Sequence, residues 1–339
     1  MTIAPIITIG ELLVDWVSSE PGLIDHKIYN FKMAAGGAPA NVAIGLAKLG
    51  YPSYFVGGVS DDSFGTWLFD YLESSGVATN LVQKIPQSCT RHAYIFTTED
   101  GNRVLSHITS NQCPDSLLQS KLLDKKLLEQ ASIVYYGSVM QSTIQGAKNV
   151  EEILALIPSH ALRIYDPNIR TCLWTEQTER LQHCLEQSAQ NVDILKLSDN
   201  ELQFFTDELD EEAAAQIIFE RYQPALLIVT LGAKGAMYLS QKGQGLVKSF
   251  QVSSVEMTGA GDGFIAGLLG GLYALAQRKT QSVKETVLSL TSSEIEALLL
   301  EANAVGALAT TQPGATAGLP TQAQLQDFLE KHHPLAVAT

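Results

Sequence analysis

Basic residues are scarce in this chain. Lys and Arg number 22 against 36 Asp and Glu, which leaves a formal net charge of −14. A field of that sign repels nucleic acid and anionic membrane, so neither is expected as a partner. Cysteine is sparse as well: Cys89, Cys113, Cys172 and Cys184 are the whole set, and their spacing fits no metal-ligand pattern. They read as reduced thiols of a cytoplasmic protein. Long hydrophobic runs are missing; no stretch of about 18 apolar residues exists, so no membrane-spanning helix is expected. Met1-Thr2-Ile3-Ala4-Pro5 has no basic region, and the apolar stretch after it breaks at Gly10 and Glu11, so no signal peptide is expected either. Histidines are few and scattered, and His332-His333 reads as a solvated pair in a polar tail. Internal repeats and low-complexity segments are absent.

The chain has 339 residues, of which 45% are hydrophobic and 17% charged, the balance of an ordinary globular protein. That length suits one large α/β domain or two smaller ones. Short apolar runs at Ile6 to Ile9, Tyr54 to Val59, Ile133 to Tyr136, Leu162 to Tyr165, Ile194 to Leu197 and Leu226 to Thr230 read as strands. Helical spacing falls between them: Pro39 to Leu49, Phe64 to Leu72, Val150 to Ile157, Glu179 to Ser188 and Glu211 to Tyr222. Strands alternating with helices predict a parallel sheet covered on both faces. Two stretches break that rhythm. Leu12 to Met33 and Arg91 to Ile108 alternate as strands do, and Glu99-Asp100-Gly101-Asn102 is a hairpin signal. They predict a small antiparallel sheet beside the main domain, suited to serve as a lid. Gln277 to Ser293 is polar and rich in Ser, Thr and Lys, and reads as a long surface connection before a helix from Glu294 to Ala309.

Two glycine turns carry the chemistry. Thr258-Gly259-Ala260-Gly261-Asp262-Gly263-Phe264 runs into the apolar stretch Ile265 to Leu275, a tight turn opening onto a helix. Free N–H groups and the positive end of the helix dipole suit such a turn to a phosphate. No Gly-Lys-Ser/Thr follows, so it is not a Walker A loop. Asp262 would repel a phosphate unless it takes the proton of the group attacking it. A phosphate cradle with one carboxylate base is minimum equipment for a kinase acting on a hydroxyl; a capped helix start with a surface acid is the plain alternative. Ala35-Gly36-Gly37-Ala38-Pro39-Ala40-Asn41-Val42-Ala43 is the second turn. Gly36 and Gly37 let a ligand approach bare backbone, and Asn41 offers a donor and an acceptor to a pair of sugar hydroxyls.

Taken in order, these residues resemble the PfkB, or ribokinase-like, family of carbohydrate kinases. Gly10-Glu11-Leu12-Leu13-Val14-Asp15 is similar to the family's opening strand, and Ala35 to Ala43 and Thr258 to Asp262 to its two signatures. Asp166-Pro167-Asn168-Ile169-Arg170, followed by Leu173-Trp174, resembles a segment of the fructokinase branch. Lys196-Leu197-Ser198-Asp199-Asn200-Glu201, Thr230-Leu231-Gly232-Ala233-Lys234-Gly235-Ala236 and Asn303 to Ala309 with Gly314-Ala315 and Pro320 complete the series.

The resemblance implies a three-layer α/β/α fold across residues 1–339, a single kinase domain with a mainly parallel central sheet. The lid would come from segments about 12–34 and 89–110. It implies transfer of the γ-phosphoryl of MgATP to a primary sugar hydroxyl, with fructose giving fructose 6-phosphate. Ribose, 2-keto-3-deoxygluconate, a nucleoside, or a weakened sugar-binding regulator are the alternatives. Asp262 is the expected base, and the N–H groups of Gly259, Ala260 and Gly261 the expected anion hole. Arg170 is a candidate cation on the phosphates, or else the partner of a surface acid. Asp15, Gly36, Gly37, Asn41 and Asn168 would bind the sugar, and Arg103 would touch it from above or stand solvated at a strand edge. Lys196, Thr230, Gly232, Gly235 and Asn303 would serve the nucleotide, and Glu201 would hold Mg²⁺ through water. The resemblance also implies a homodimer through the lid. Glu256-Met257 stands where the family has Asp-Thr, so dependence on a monovalent cation is doubtful. Arg91 replaces a residue that is small in most of the fructokinase branch.

Overall fold

The computed structural model describes residues 4–21, 30–99, 103–175 and 177–332. Its thirteen strands are β1 (Ile6–Ile9), β2 (Leu13–Pro21), β3 (Phe31–Gly36), β4 (Ser53–Ser60), β5 (Val82–Ile85), β6 (Arg91–Thr97), β7 (Arg103–Ile108), β8 (Ile133–Tyr136), β9 (Leu162–Tyr165), β10 (Ile194–Ser198), β11 (Leu226–Thr230), β12 (Ala236–Ser240) and β13 (Gly243–Val247). The helices are α1 (Ala38–Lys48), α2 (Ser63–Ser74), α3 (Pro114–Leu117), α4 (Lys125–Leu128), α5 (Ile144–Leu156), α6 (Thr178–Ala189), α7 (Asp199–Thr206), α8 (Glu211–Tyr222), α9 (Ala260–Lys279), α10 (Val283–Ser289), α11 (Ser292–Ala309) and α12 (Gln322–Lys331).

Continuous apolar strands demand cover on both faces. The order β13-β12-β11-β10-β9-β8-β1-β4-β5 meets that demand in one nine-stranded sheet. It is parallel from β5 through β11, and β12 and β13 turn back antiparallel at one edge. Alternation along each strand divides the core. Ile7, Ile9, Val134, Tyr136, Leu195 and Leu197 face one layer with Val150, Ile153, Leu181, Leu185 and Ile218. Ile6, Ile133, Tyr135, Ile164, Ile194 and Ile228 face the other with Val42, Leu46, Leu268, Leu272, Leu299 and Val305. The layers follow from the period-2 side-chain alternation of a strand. This is the three-layer α/β/α fold with a mainly parallel sheet.

A second sheet has four strands in the order β3-β2-β6-β7. β2 and β6 are parallel there, while β3 and β7 add antiparallel at the edges. The hairpin signal at Asp100, Gly101 and Asn102 lies outside the described residues; β6 and β7 on either side of it pair antiparallel. Arg91, at the start of β6, is not a cavity residue. Its guanidinium is fully buried and bidentate on Asp115, Nε to Oδ1 at 3.1 Å and Nη2 to Oδ2 at 2.7 Å, with Nη1 on the Thr109 carbonyl at 2.6 Å.

One segment differs from the reading of the sequence. Gln277 to Ser293 is not a long connection: α9 continues to Lys279, α10 occupies Val283–Ser289 and α11 starts at Ser292. The Ser and Thr residues that suggest a loop are helix caps. Ser282 with Glu285, and Thr291 with Glu294, form capping boxes in which the hydroxyl accepts an N–H and the carboxylate reaches back. Helix α5 likewise begins at Ile144, well before Val150, because the Thr143 hydroxyl caps it through the Gly146 N–H.

Candidate active site

Ligands of open α/β sheets sit beyond the carboxyl ends of the strands. Here Glu11 follows β1, Asp166 follows β9 and the α7 cap Ser198 ends β10. A cavity of about 440 Å³ opens at that end, large enough for a small metabolite. Its floor holds Glu11, Gly37, Asn41 and Asp262. Asn168 and Arg170 form one wall, and Asp15, Ala93, Arg103 and Leu105 of the small sheet face them.

Helix α9 sets the floor. Its N-cap, Gly259, has φ +84°, and a Cβ there would clash with the backbone of Ala315. Only glycine combines that φ with that approach. The turn places Asp262 in the first turn of α9. Asn41, in the first turn of α1, donates from Nδ2 to Asp262 Oδ2 at 2.8 Å across 221 residues of sequence. Asn41 itself is buried, and its Oδ1 has no hydrogen-bond partner among the described residues. Burial raises the Asp262 carboxyl above the usual carboxylate range; the Asn41 hydrogen bond and the charges of Arg170 and Lys196 oppose that rise. The result is a carboxylate that is more basic than an exposed one.

The anion-hole reading needs one correction. The Ala260 N–H donates to the Met257 carbonyl at 3.2 Å, so it is already engaged. The N–H groups of Gly261 and Asp262 stand in the first turn, where a helix supplies no acceptor.

Asp15 lies directly over Gly36, where any Cβ would meet its carboxylate. Burial pushes the Asp15 carboxyl up to about 7; Arg170 opposes, while Asp262 and Glu256 add to the rise. Asn168 holds a left-handed backbone, φ +47°, which aims this turn along the wall. Arg170 is half-buried and makes no ion pair among the described residues, so the surface-acid alternative finds no partner there. Arg103 pairs through Nη2 with Glu256 Oε2 at 3.4 Å.

Lys196 and Glu201 lie beneath. Lys196 Nζ is 3.2 Å from both oxygens of Asp166 and underlies Gly261. Burial works against its charge, but Asp166, Glu201 and Asp262 outweigh burial and hold the ammonium above its usual range. Burial raises Asp166 to about 6, and Lys196 limits that rise. Glu201 Oε1 accepts from the Ile169 N–H at 2.8 Å, and Oε2 accepts from the Ser198 N–H and hydroxyl at 2.9 and 3.0 Å. One carboxylate thus fixes both the α7 cap and the segment that carries Asn168 and Arg170. Among the described residues no cluster of three or more His, Cys, Asp or Glu side chains is placed to hold a metal ion.

Four expected nucleotide residues stand outside the cavity. Thr230 ends β11 and donates to the Leu197 carbonyl at 3.4 Å. Gly232 and Gly235 shape the turn into β12 with φ of +56° and +112°. Asn303, buried on α11, donates to the Val247 and Lys248 carbonyls at 3.0 and 3.3 Å, so its amide anchors backbone.

Glu11 is the residue that sequence reasoning passed over. It is buried, and its Oε1 accepts from the Ala38 N–H at 3.0 Å, capping an α1 whose own N-cap, Gly37, has no side chain to do so. Burial pushes Glu11 up to about 7; Asp115 adds to this, and Arg91 and Arg170 oppose it. The available signal was a glutamate embedded in the apolar run after β1.

A buried carboxylate held by an amide, a helix N-terminus with open donors and two arginines around a polar cleft suit the chemistry of a phosphoryl transferase of the α/β/α type. The comparisons agree. A family model for pfkB family carbohydrate kinases matches residues 4–322. Probable fructokinase-3 and probable fructokinase-7 of Arabidopsis thaliana are 34% and 33% identical, each over 96% of this chain and 91% and 92% of their own length. A crystal structure of fructokinase with bound ATP from Xylella fastidiosa superposes with a TM-score of 0.83 at 28% identity, covering 97% of this chain and 99% of that one. Fructokinase from Vibrio cholerae O395, in a fructose, ADP and calcium ion bound form, has a TM-score of 0.79 at 27% identity, covering 97% and 100%. The chain belongs to the pfkB family of carbohydrate kinases. It is a sugar kinase, a phosphotransferase with an alcohol group as acceptor.

Proposed function

We propose that this kinase phosphorylates fructose at its primary 6-hydroxyl, using MgATP. One observation carries the placement of the acceptor. Asn41 spends its Nδ2 on Asp262 and leaves a buried Oδ1 without a partner. An unpaired buried acceptor is costly, and a sugar hydroxyl beside Asp262 would satisfy it. Asp15 accepts from neighbouring hydroxyls, with Gly36, Gly37 and Asn168 closing around the ring. Asp262 takes the proton of the 6-hydroxyl as its oxygen attacks the γ-phosphorus, and ADP leaves. The transition state is loose, so positioning and charge stabilisation dominate. Gly259, Gly261 and Asp262 supply N–H groups to the transferring phosphoryl, and Arg170 and Lys196 supply positive charge. Mg²⁺ would neutralise the polyphosphate, held by water to Glu201. Thr230, Gly232, Gly235 and Asn303 shape the nucleotide side, Asn303 through the backbone it anchors.

The whole chain acts as one kinase domain in this reading, and the four-stranded sheet is its lid. Exposed Met33 on β3 and Val104 on β7 suit that sheet to pairing with a second copy. The four free thiols support a cytoplasmic setting. The choice of fructose rests on the fructokinase relatives. A coupled assay of ADP release across fructose, ribose, 2-keto-3-deoxygluconate and nucleosides tests it. Fructose should show the highest kcat/KM. Preference for another acceptor would overturn the sugar, and no turnover with any would overturn the catalytic reading in favour of a sugar-binding regulator.

A further inference from the structure

Glu256 precedes the catalytic turn and is buried, so its partners need explaining. Its Oε2 accepts from the Gly314 N–H at 3.0 Å. The N–H groups of Val255 and Glu256 both donate to the Thr310 carbonyl, at 2.8 and 3.1 Å. Further along, Gly259 packs on the backbone of Ala315. The stretch 255–259 is therefore stitched to the stretch 310–315 that follows α11. The remaining partner of Glu256 comes from the other sheet: Arg103, on β7, with its Nη2 3.4 Å from Oε2. Arg103 lines the cavity, and its Nη1 is buried without a hydrogen-bond partner among the described residues.

A guanidinium is a rigid planar fork, so fixing one nitrogen fixes the other. Arg103 has one prong on the segment that leads into Gly259 and one prong buried at the cavity wall with no partner among the described residues. An oxygen-rich guest is the ligand that satisfies a buried cationic donor. We propose that the Arg103–Glu256 pair couples occupancy of the sugar site to the order of the phosphoryl-binding turn. Arg103 Nη1 takes a sugar oxygen, the fork settles, and Glu256 holds residues 255–259 in register for the nucleotide. Glu256 is a positioning residue, since it touches neither substrate. The inference rests on the reading of this cavity as a sugar-kinase site, and it makes sugar and nucleotide binding mutually reinforcing.

The test is the affinity for a magnesium complex of a non-hydrolysable ATP analogue, measured by calorimetry with and without a saturating sugar that the wild type phosphorylates. Wild type should bind the nucleotide about ten-fold tighter with sugar present, within the usual range of such couplings. Arg103→Met and Glu256→Gln should each cut that gain to less than about two-fold, and the double variant should lose no more than either single one. Glu256→Gln keeps an acceptor for the Gly314 N–H, so the stitched loop stays docked, and melting curves check this. Wild-type coupling in either variant, additive losses, or no coupling in the wild type would each overturn the inference. Absence of turnover with every sugar would instead overturn the kinase assignment of the cavity, which the acceptor panel reads separately.

Discussion

Asp262 and Asn41 meet from two helices, and in the proposed mechanism the meeting selects which carboxylate acts. Asp15 faces the same cavity and is also raised, but the Asn41 amide bonds Asp262 and not Asp15. Asp262→Asn removes the proposed base and keeps the shape. Sugar and nucleotide affinities should stay near wild type while kcat falls at least about 10²-fold, the usual loss for a general base. Turnover close to wild type would take Asp262 out of the proton transfer.

Glu11 allows a second prediction at this scale. Its folded-state carboxyl is raised from 4.5 to about 7 by burial. Such a group contributes stability that is complete at low pH, where it is neutral, and that is lost as pH rises through its folded pKa. Glu11→Gln stays neutral throughout and keeps an acceptor for the Ala38 N–H. The Tm of the variant minus that of wild type should therefore grow between about pH 5 and pH 8. A difference that stays flat with pH would show that Glu11 titrates in the ordinary carboxylate range. Neither Glu11 nor Asn41 could be assigned its partner from the sequence. The Ala38 N–H lies 27 positions beyond Glu11 and Asp262 lies 221 beyond Asn41, distances that only the folded chain closes.

Among elements, the glycine turns and the buried parallel strands were legible because each carries a local signature. A turn with positive φ needs glycine, and a strand covered on both faces needs an unbroken apolar run. The stretch after α9 was not legible because a helix cap and a loop use the same residues. Ser282 and Thr291 look like loop polarity until Glu285 and Glu294, three positions on, are read as their reciprocal partners. The edge strands β5, β12 and β13 are short or half-exposed and gave little periodicity to read. Thr291→Ala tests the cap. It removes the hydroxyl that accepts the Glu294 N–H and should cost about 1 kcal/mol. That corresponds to a fall in Tm of roughly 1–2 °C for a protein of this size, with kcat unchanged. No shift in Tm would mean that packing of α11 against α9 alone sets its start.

Over the whole molecule, the deficit of positive charge returns as a constraint. A protein of net charge −14 that binds a polyphosphate must concentrate its few cations. Arg103, Arg170 and Lys196 gather around one cavity. The doubt about a monovalent cation acquires a physical reason here. Glu256 has its carboxylate committed to the Gly314 N–H and to Arg103. A carboxylate already neutralised by a guanidinium is a poor ligand for K⁺. We expect kcat/KM to differ less than about two-fold among Na⁺, K⁺ and a bulky organic cation at fixed ionic strength, since salt also screens surface charge. A several-fold rise specific to K⁺ would show that Glu256 still serves an ion. The lid assignment belongs to this scale as well, because it depends on how two sheets share one cleft and on no single run of residues.

The strand order has a consequence for how the protein comes into being. β1 is made first but lies between β4 and β8, and the helix bearing Asn41 waits for α9, synthesised more than two hundred residues later. α9 in turn is held by α11. A growing chain on the ribosome would thus remain inert until its last quarter has emerged, whatever it has folded before. On the proposed site, activity in this molecule is a certificate of completion: a product cut short of α9 would lack the carboxylate assigned as base.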